Sequence, residues 1–201
     1  IILNGRGSTN VGVSAARGVH IGGSVITSGS GTIDISGQGK AGSSGVALGD
    51  SSGFNGSISA ENGAITITGT KGSGDAININ TASSSITSTG TGNLVLVSNG
   101  GDINGTGTVD IGGTTNITAG TDDISFNNGS NDFTGAVTVV SADEVGIVDT
   151  NSLSMGAITI VGDQTLTSGG DLTLTADITK STGSDATLTF KADGSVIMNT
   201  N

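Results

Sequence analysis

Short runs in which aliphatic and small polar residues alternate recur along the whole chain. They are GTIDISG from Gly31, GAITITGT from Gly63, GNLVLVS from Gly92, GTVDIGG from Gly107, GAVTVVS from Gly135, GAITIVG from Gly156 and GDLTLTA from Gly170. Because successive side chains of a strand point to opposite faces, Ile65 and Ile67 should share one face and the intervening threonines the other. Each run therefore predicts a short β-strand with one aliphatic and one polar face.

The strands recur in sets of three through the first half of the chain, at intervals of 27 to 32 residues. The residues predicted to be equivalent are Val19, Val46 and Ile77 in one strand, Ile26, Ile58 and Ile86 in the next, and Ile33, Ile65 and Leu94 in the last. After Gly100 the predicted spacing tightens to 28, 21, 14 and 16 residues, through Val109, Val137, Ile158, Leu172 and Leu188.

Such short strands cannot be stable alone. Burial of an aliphatic side chain contributes about 1.5–3 kcal/mol, whereas ordering the backbone costs about 1–2 kcal/mol per residue. Stacked coils would bury one continuous aliphatic column, so the sequence predicts an all-β, right-handed parallel β-helix with three short strands per coil. Residues 1–201 should form a single β-helical segment of a longer chain, regular over 1–100 and shorter and less regular over 101–201.

Composition favours this thin, repetitive core over the alternatives. The chain has 37 glycines, four phenylalanines and no proline, cysteine, tryptophan or tyrosine. An antiparallel sandwich usually has aromatic core residues and proline-bearing loops, and the uneven repeat length disfavours an in-register amyloid. Disorder is disfavoured because the aliphatic residues alternate in register. The net charge of −11 argues against nucleic acid and anionic membrane surfaces as partners. Membrane insertion is not expected, because no apolar run approaches the roughly 18 residues of a membrane helix.

Candidate catalytic chemistry is sparse. The single histidine, His20, lies opposite Val19 and Ile21 in the alternation, which predicts an outward surface residue. A polysaccharide-processing β-helix enzyme remains an alternative because acidic residues occur in pairs, but the chain has no Trp or Tyr on which a sugar could stack. We expect no enzyme activity and assign no catalytic or cofactor-binding residue.

Acidic residues cluster in the middle of the chain, and the weak candidates for Ca²⁺ ligands are Asp122, Asp123, Asp143 and Glu144. The simpler interpretation is that they are solvated turn residues. No other cofactor is expected. Three Asn-x-Ser/Thr sequons, at Asn55, Asn116 and Asn128, would lie on the surface if they were glycosylated.

Pairs of threonines separated by one residue raise a second alternative, an ice-binding face. The pairs are Thr66/Thr68, Thr165/Thr167, Thr173/Thr175 and Thr187/Thr189. Such a face needs a pair at the same station of nearly every coil. Asp34, Asp110, Val95/Val97 and Thr138/Val140 are predicted to interrupt it.

The repeats resemble those of large bacterial exoproteins of the filamentous-haemagglutinin type. The similar segments are GTIDISGQG, SGVALGD, GAITITGT and STGTGNLVLVSNGG in the first half, with NDFTGAVTVVSADEVGIVDTNSLSMGAITI (131–160) and GDLTLTADITKSTGSDATLTFKADGSVIMNTN (170–201) in the second. The resemblance implies a β-helical adhesin shaft, secreted through an outer-membrane partner barrel to the bacterial surface, with roles in adhesion, biofilm or matrix building. It also implies an interior shaft segment.

The expected partners follow from the same interpretation. Exposed strand edges at the ends of a solenoid favour association with further repeats or other copies, end to end or side by side. Cell-surface or matrix glycans are possible ligands of an adhesin.

Overall fold

The computed structural model describes residues 1–8, 16–40, 42–183 and 185–199, and every regular element in these ranges is a β-strand. The strands are β1 Ile2–Arg6, β2 Val19–Ile21, β3 Ser24–Ile26, β4 Ile33–Gln38, β5 Val46–Leu48, β6 Ser57–Ala60, β7 Ile65–Thr70, β8 Ile77–Ile79, β9 Ser85–Ser88, β10 Leu94–Ser98, β11 Ile103–Gly105, β12 Thr108–Ile111, β13 Thr115–Thr118, β14 Ile124–Phe126, β15 Asp132–Phe133, β16 Val137–Ala142, β17 Val145–Asp149, β18 Leu153–Ile160, β19 Gln164–Ser168, β20 Leu172–Leu174, β21 Ile178–Lys180, β22 Leu188–Ala192 and β23 Val196–Met198. No helix in the described ranges is long and apolar enough to cross a membrane.

The strands stack into three parallel sheets, which confirms the predicted right-handed parallel β-helix. The first sheet has 10 strands within the described residues, in the order β1-β4-β7-β10-β13-β16-β18-β20-β23, with β21 also paired to β18. The second has eight, β2-β5-β8-β11-β14-β17-β19-β22, and the third has five, β3-β6-β9-β12-β15. Each coil up to β15 thus adds one strand to each sheet before the chain climbs to the next coil.

The register confirms two of the three predicted sets of equivalent residues. Val19 pairs with Val46 and Val46 with Ile77 in the second sheet. In the first sheet, Ile33 pairs with Ile65, which in turn pairs with Leu94. In β7, Ile65 and Ile67 are fully buried while the intervening threonines face outward, as the alternation predicts.

The prediction for Ile26 was wrong. Val25, and not Ile26, pairs with Ile58 in the third sheet, and Ile26 is 63% exposed. Two consecutive apolar residues fit either phase of a period-two pattern, so the phase of this strand could not be read from hydrophobicity alone. In the structure Ser24 pairs with Ser57, and Val25 packs against the core.

The five residues predicted to be equivalent after Gly100 do not occupy one station. Val109 belongs to the third sheet and Leu188 to the second, whereas Val137, Ile158 and Leu172 lie in the first. The coil does shorten in this half. Ile33 and Ile65 are 32 residues apart, Leu94 and Thr115 are 21 apart, and Leu153 and Leu172 are 19 apart. The last coil lengthens again, since Leu172 and its partner Val196 are 24 residues apart.

The later coils differ in how their strands are joined. Strand β18 is a single strand of eight residues whose two halves pair with different partners. Its first half, Leu153–Met155, pairs with β20, and its second half, from Ile158 to Ile160, pairs with β21. The separate third sheet ends at β15, and its side of the coil merges into the first sheet.

Two buried polar side chains provide backbone hydrogen bonds where the third sheet ends. The Asn131 amide nitrogen donates to the carbonyls of Phe126 and Val148, at 3.1 and 3.3 Å, and its oxygen accepts from the Val109 N–H at 2.9 Å. In the next coil, Asp149 accepts from the N–H groups of Phe133 and Asn151, both at 2.8 Å. Burial raises the pKa of Asp149 despite these bonds.

A glycine ladder forms the tight corner between the first and second sheets. Gly5, Gly37 and Gly69 are register partners in successive coils. A Cβ atom on any of them would lie 2.0–2.1 Å from a backbone carbonyl oxygen of the residue just before the second-sheet strand of the same coil. Only glycine allows the backbones to approach this closely. In the following coil Ser98 takes the station, and its hydroxyl donates to the Gly101 carbonyl at 2.5 Å.

Candidate binding trough on the second sheet

The outward face of the second sheet is lined by two columns of small polar residues. The column at the strand centres runs through Asn78, Asn104, Ser125, Gly146 and Thr165. Two positions further along the chain from each of these are Asn80, Thr106, Asn127, Val148 and Thr167, which form the column beside it and of which Val148 and Thr167 are register partners. The columns follow from the alternation, because the residues between them point into the aliphatic core. They cross the strands and therefore run along the helix axis.

A row of four carboxylates borders these columns, immediately before strands β11, β14, β17 and β19. The residues of this acid row are Asp102, Asp123, Glu144 and Asp163, one in each of four consecutive coils. Stacked coils place them about 4.8 Å apart. Neighbouring charges at that spacing repel by about 0.9 kcal/mol, even at the dielectric constant of water.

Backbone hydrogen bonds hold the acid row in place. Asp102 accepts from the N–H of Asp123 at 3.1 Å, and Asp123 accepts from the N–H of Glu144 at 3.0 Å. Asp163 accepts from the N–H of Thr187 at 2.7 Å. Each of these bonds uses the Oδ1 atom and points along the stack. The second carboxylate oxygen of each aspartate makes none of these bonds.

No basic side chain of the described residues forms an ion pair with the acid row. The ion pairs in those ranges are Arg17–Asp50, His20–Asp50 and Lys71–Asp122. Lys71 reaches the neighbouring Asp122 at 3.4 Å, outside the row. Among the described residues, the carboxylates of the row therefore have no ion-pair partner.

The amide side chains beside the acid row are held by polar contacts. Asn78 and Asn104 both donate to the carboxylate of Asp75, the latter at 2.9 Å. Burial raises the pKa of Asp75, the two amide hydrogen bonds oppose this rise, and the charge of Asp102 adds to it. The amide of Asn127 donates to the Ser125 hydroxyl at 2.8 Å. The amide oxygens of Asn104 and Asn127 are not used in these bonds.

Two adjoining hollows lie along this face. One, of about 410 Å³, is lined by the asparagine-rich part of the columns, and the other, of about 460 Å³, is lined by the acid row and the columns beside it. They share Asn104, Ser125 and Asn127, so they form one shallow depression. We call it the trough, meaning the two columns together with the acid row. Its size is in the range of ligand sites in proteins.

The four residues predicted as Ca²⁺ candidates divide into two kinds. Asp123 and Glu144 belong to the acid row. Asp122 and Asp143 precede them in the turns, where the Asp143 N–H donates to the Asp122 carbonyl at 3.0 Å. Within the described ranges, no three His, Cys, Asp or Glu side chains converge as a metal site would require. Calcium binding stays a prediction of the sequence.

His20 is exposed on the second sheet, as predicted. Its Nε2 atom lies 3.6 Å from Asp50 Oδ2, and Arg17 approaches the same carboxylate oxygen at 3.7 Å. The sequence did not predict this contact, because Asp50 lies in a loop of the following coil. The contacts of Asp50 with His20 and Arg17 hold that loop against the start of the second sheet, at β2.

The Thr-x-Thr pairs are distributed over different faces. Thr66/Thr68 lies on the first sheet beside Val95 and Val97, and Thr165/Thr167 lies on the second. Thr173 lies in β20 of the first sheet, and Thr189 lies in β22 of the second sheet. Of the sequons, Asn55 and Asn116 are exposed, whereas the Asn128 amide donates to the Thr106 carbonyl at 2.9 Å.

One comparison with known proteins gave a match. Residues 74–140 match a family described as repeats of unknown function (DUF5649). No curated protein and no solved structure matches the chain. The matched repeats run from just before β8 into β16, and they contain Asp102 and Asp123 together with both asparagine-rich columns up to Asn127.

Sequence reasoning missed the acid row and the trough. It paired Asp123 with its chain neighbour Asp122, whereas the structure aligns Asp123 with Asp102 and Glu144. The signal was present as an acidic residue directly before each second-sheet strand from β11 to β19. It could have been found only by aligning the coils on that strand, and the irregular spacing assigned after Gly100 prevented this.

Proposed function

We propose that this chain is a structural and adhesive β-helical shaft of a secreted bacterial surface fibre, serving cell adhesion, biofilm or matrix assembly. The observation that supports it best is the continuous stack. The first sheet runs from β1 to β23 through parallel partners, and one hydrophobic cluster extends through the coils from Ile21 to Leu174. A solenoid of this kind is stiff along its axis, because each coil is fixed to both neighbours by backbone hydrogen bonds.

The strand edges at the two ends of the stack suit the partners expected for a shaft. Among the described strands, β1 pairs only with β4 and β23 only with β20. Further coils, from the same chain or from another copy, could add to these edges. The apolar residues Ile2, Val196 and Met198 at these ends are exposed, and such addition would cover them.

Secretion to the bacterial surface, through an outer-membrane partner, is part of the proposal. It is supported by the resemblance of the repeats to filamentous-haemagglutinin-type shafts, and the lack of cysteine in the chain is compatible with it. The role requires no catalytic group.

Antibody labelling of intact cells tests this function. An antiserum against the purified chain should label the surface of unpermeabilised cells that make it, and deletion of the gene should reduce their attachment to a surface or to each other. Labelling that appears only after permeabilisation would contradict the proposal. Unchanged attachment after deletion would contradict the adhesive part alone.

A further inference from the structure

We propose that Asn99 is a site of spontaneous covalent modification, at which the folded chain reacts with water and the asparagine becomes aspartate or isoaspartate. The reacting groups are the Asn99 side-chain amide and the backbone nitrogen of Gly100. The reaction requires no enzyme and no cofactor. It depends neither on the shaft function proposed above nor on the trough.

The reaction takes place in two steps. The Gly100 nitrogen attacks the side-chain carbon Cγ of Asn99 and forms a new C–N bond, while the bond from Cγ to the amide nitrogen breaks. Ammonia leaves with the proton of the Gly100 N–H, and a five-membered succinimide ring remains. Water then opens the ring at one of its two carbonyls. Opening at Cγ gives aspartate, and opening at the main-chain carbonyl gives isoaspartate, in which the main chain runs through Cβ and Cγ.

Glycine after asparagine favours this chemistry, because glycine has no side chain to shield its backbone nitrogen. The chain contains six Asn–Gly dipeptides, which begin at Asn4, Asn55, Asn62, Asn99, Asn104 and Asn128. A hydrogen bond to the amide or to the glycine N–H must break before the ring can close, so the folded structure slows the reaction wherever such a bond exists. The surroundings of each dipeptide therefore decide which one reacts.

Asn99 has both reacting groups free. It is exposed at the corner after β10, and none of the described residues forms a hydrogen bond with its side-chain amide. The Gly100 N–H likewise has no acceptor among those residues. The Ser98 hydroxyl closes the corner by donating to the Gly101 carbonyl, and this bond involves neither reacting group. The ring can therefore form without opening a hydrogen bond to either group.

Two of the other dipeptides lie within strands. Asn4 belongs to β1 and Asn104 to β11, where the extended backbone is held by pairing with the neighbouring coils. The Asn104 amide also donates to the Asp75 carboxylate at 2.9 Å. Closing the ring at either position would require the strand to leave its sheet.

At Asn55 both reacting groups are bonded. The Asn55 side-chain oxygen accepts from the Thr81 hydroxyl at 2.9 Å. The Gly56 N–H donates to the buried Ser84 hydroxyl at 3.0 Å. Two hydrogen bonds must therefore open before this dipeptide can react.

The last two dipeptides have bonded side chains. The Asn62 oxygen accepts from the Thr91 N–H at 3.2 Å, and the glycine that follows Asn62 is buried. The Asn128 amide nitrogen donates to the Thr106 carbonyl, and its oxygen accepts from the Ser130 N–H, both at 2.9 Å. Asn128 is the closest comparison for Asn99, because its glycine is also exposed.

Incubation of the folded chain in mildly alkaline buffer, followed by peptide mapping, tests the proposal. Cleavage before aspartate separates the Asn99 peptide, 75–101, from the Asn128 peptide, 123–131. Each conversion replaces an amide NH₂ by OH and is detected as a mass increase. We expect Asn99 to react at least about tenfold faster than Asn128 in the folded chain, and the two rates to converge in urea. Similar rates in the folded chain would overturn the proposal, and an undiminished ratio in urea would assign the preference to local sequence.

The same map distinguishes the two products. Aspartate at position 99 creates a new cleavage site, whereas isoaspartate is not cut and leaves the intact, heavier peptide. The sum of both products gives the rate. In the variant Asn99→Gln the ring would need six members, so we expect peptide 75–101 to stay unmodified. Continued reaction there would place the chemistry at another asparagine and overturn the assignment.

Isoaspartate at this corner should also weaken the stack. The Asn99 N–H donates to the Gly69 carbonyl at 2.8 Å, and the Gly100 carbonyl accepts from the Lys71 N–H at 3.2 Å. The additional backbone atom of isoaspartate lies between these two bonds to the preceding coil. Asn99→Asp is the matched variant, since it adds the charge without the extra atom. We expect a lower urea midpoint for the isoaspartate fraction than for Asn99→Asp, and equal midpoints would contradict this consequence.

Discussion

Gly105 and Phe126 are register partners in adjacent coils of the second sheet, and the missing side chain of Gly105 makes room for the Phe126 ring. A Cβ atom on Gly105 would lie 2.6 Å from the ring atom Cδ1. Phe126 is fully buried and packs edge-to-face against Phe133, with ring centroids 6.3 Å apart and an interplanar angle of 61°. Phe126, one of the two largest side chains of the core, is thus accommodated by a glycine in the coil before it.

Substitution of Gly105 should therefore destabilise the fold. We expect Gly105→Ala to lower the free energy of unfolding by about 1–3 kcal/mol, because the added methyl group overpacks the core. Urea denaturation followed by circular dichroism measures this change. Gly129→Ala is the matched control, since a Cβ there meets nothing within 4 Å. In a Phe126→Leu background the cost of Gly105→Ala should fall, and an equal cost in both backgrounds would contradict the packing relationship.

Gln164 should be a residue whose replacement stabilises the protein. Its side chain points into the core and is 1% exposed, and neither amide atom has a hydrogen-bond partner in the described residues. Gln164→Met keeps the approximate volume and removes the unpaired amide, so we expect a gain of about 1–3 kcal/mol in unfolding free energy. Gln38→Met on the partly exposed outer face of β4 is the control, expected to change little. A loss of stability in Gln164→Met would show that the amide is bonded in solution.

Stability should rise as the pH falls below neutral. Burial, with the charge of Asp132, raises the pKa of Asp110, and burial raises the pKa values of Asp75 and Asp149. Between the ordinary value of 3.8 and the raised values, the folded state binds more protons than the unfolded state. The free energy of unfolding therefore increases as the pH falls through the raised pKa values and levels off below the ordinary one. Urea denaturation at about pH 7 and about pH 4.5 measures this trend.

Asp110 allows one contribution to this pH dependence to be isolated. Its carboxylate faces that of Asp132 across the third sheet. Asp110→Asn should stabilise the protein at neutral pH by about 0.5 kcal/mol, because like charges opposite each other are unfavourable, and should reduce the pH dependence. The exposed Asp193 provides the control substitution, Asp193→Asn. A pH dependence that is unchanged in Asp110→Asn but altered in Asp193→Asn would contradict the assignment.

The fold could be predicted from the sequence because its determinants are local and repeated. Alternation with period two fixed the inward faces of strands such as β7 and β10, and similar spacing in the first half fixed their stacking. Where two apolar residues adjoin, as at Val25 and Ile26, the same rule has no preferred phase. Which of the two side chains points inward is decided by the pairing of β3 with β6 in the next coil, and this pairing cannot be read from the local sequence.

The site could not be predicted because its residues meet only across coils, and the spacing predicted after Gly100 placed those coils out of alignment. Asp102, Asp123, Glu144 and Asp163 become neighbours only when the coils are aligned on the second sheet. One of the inward positions on which the coils must be aligned is occupied by a polar residue, Gln164. A search for alternating hydrophobic residues does not recognise such a position as inward. The contact of His20 with Asp50 was missed for a related reason, since a loop carries the carboxylate back over the preceding coil.

Electron microscopy of the native protein, on its cells and shed from them, tests the proposed shaft most directly. We expect long thin fibres a few nanometres wide, with the coils stacked along their length. Loss of these fibres in EDTA would assign calcium to the acidic turns around Asp122 and Asp143, whereas their persistence would leave those residues as solvated turns. Compact, separate particles would contradict the shaft function.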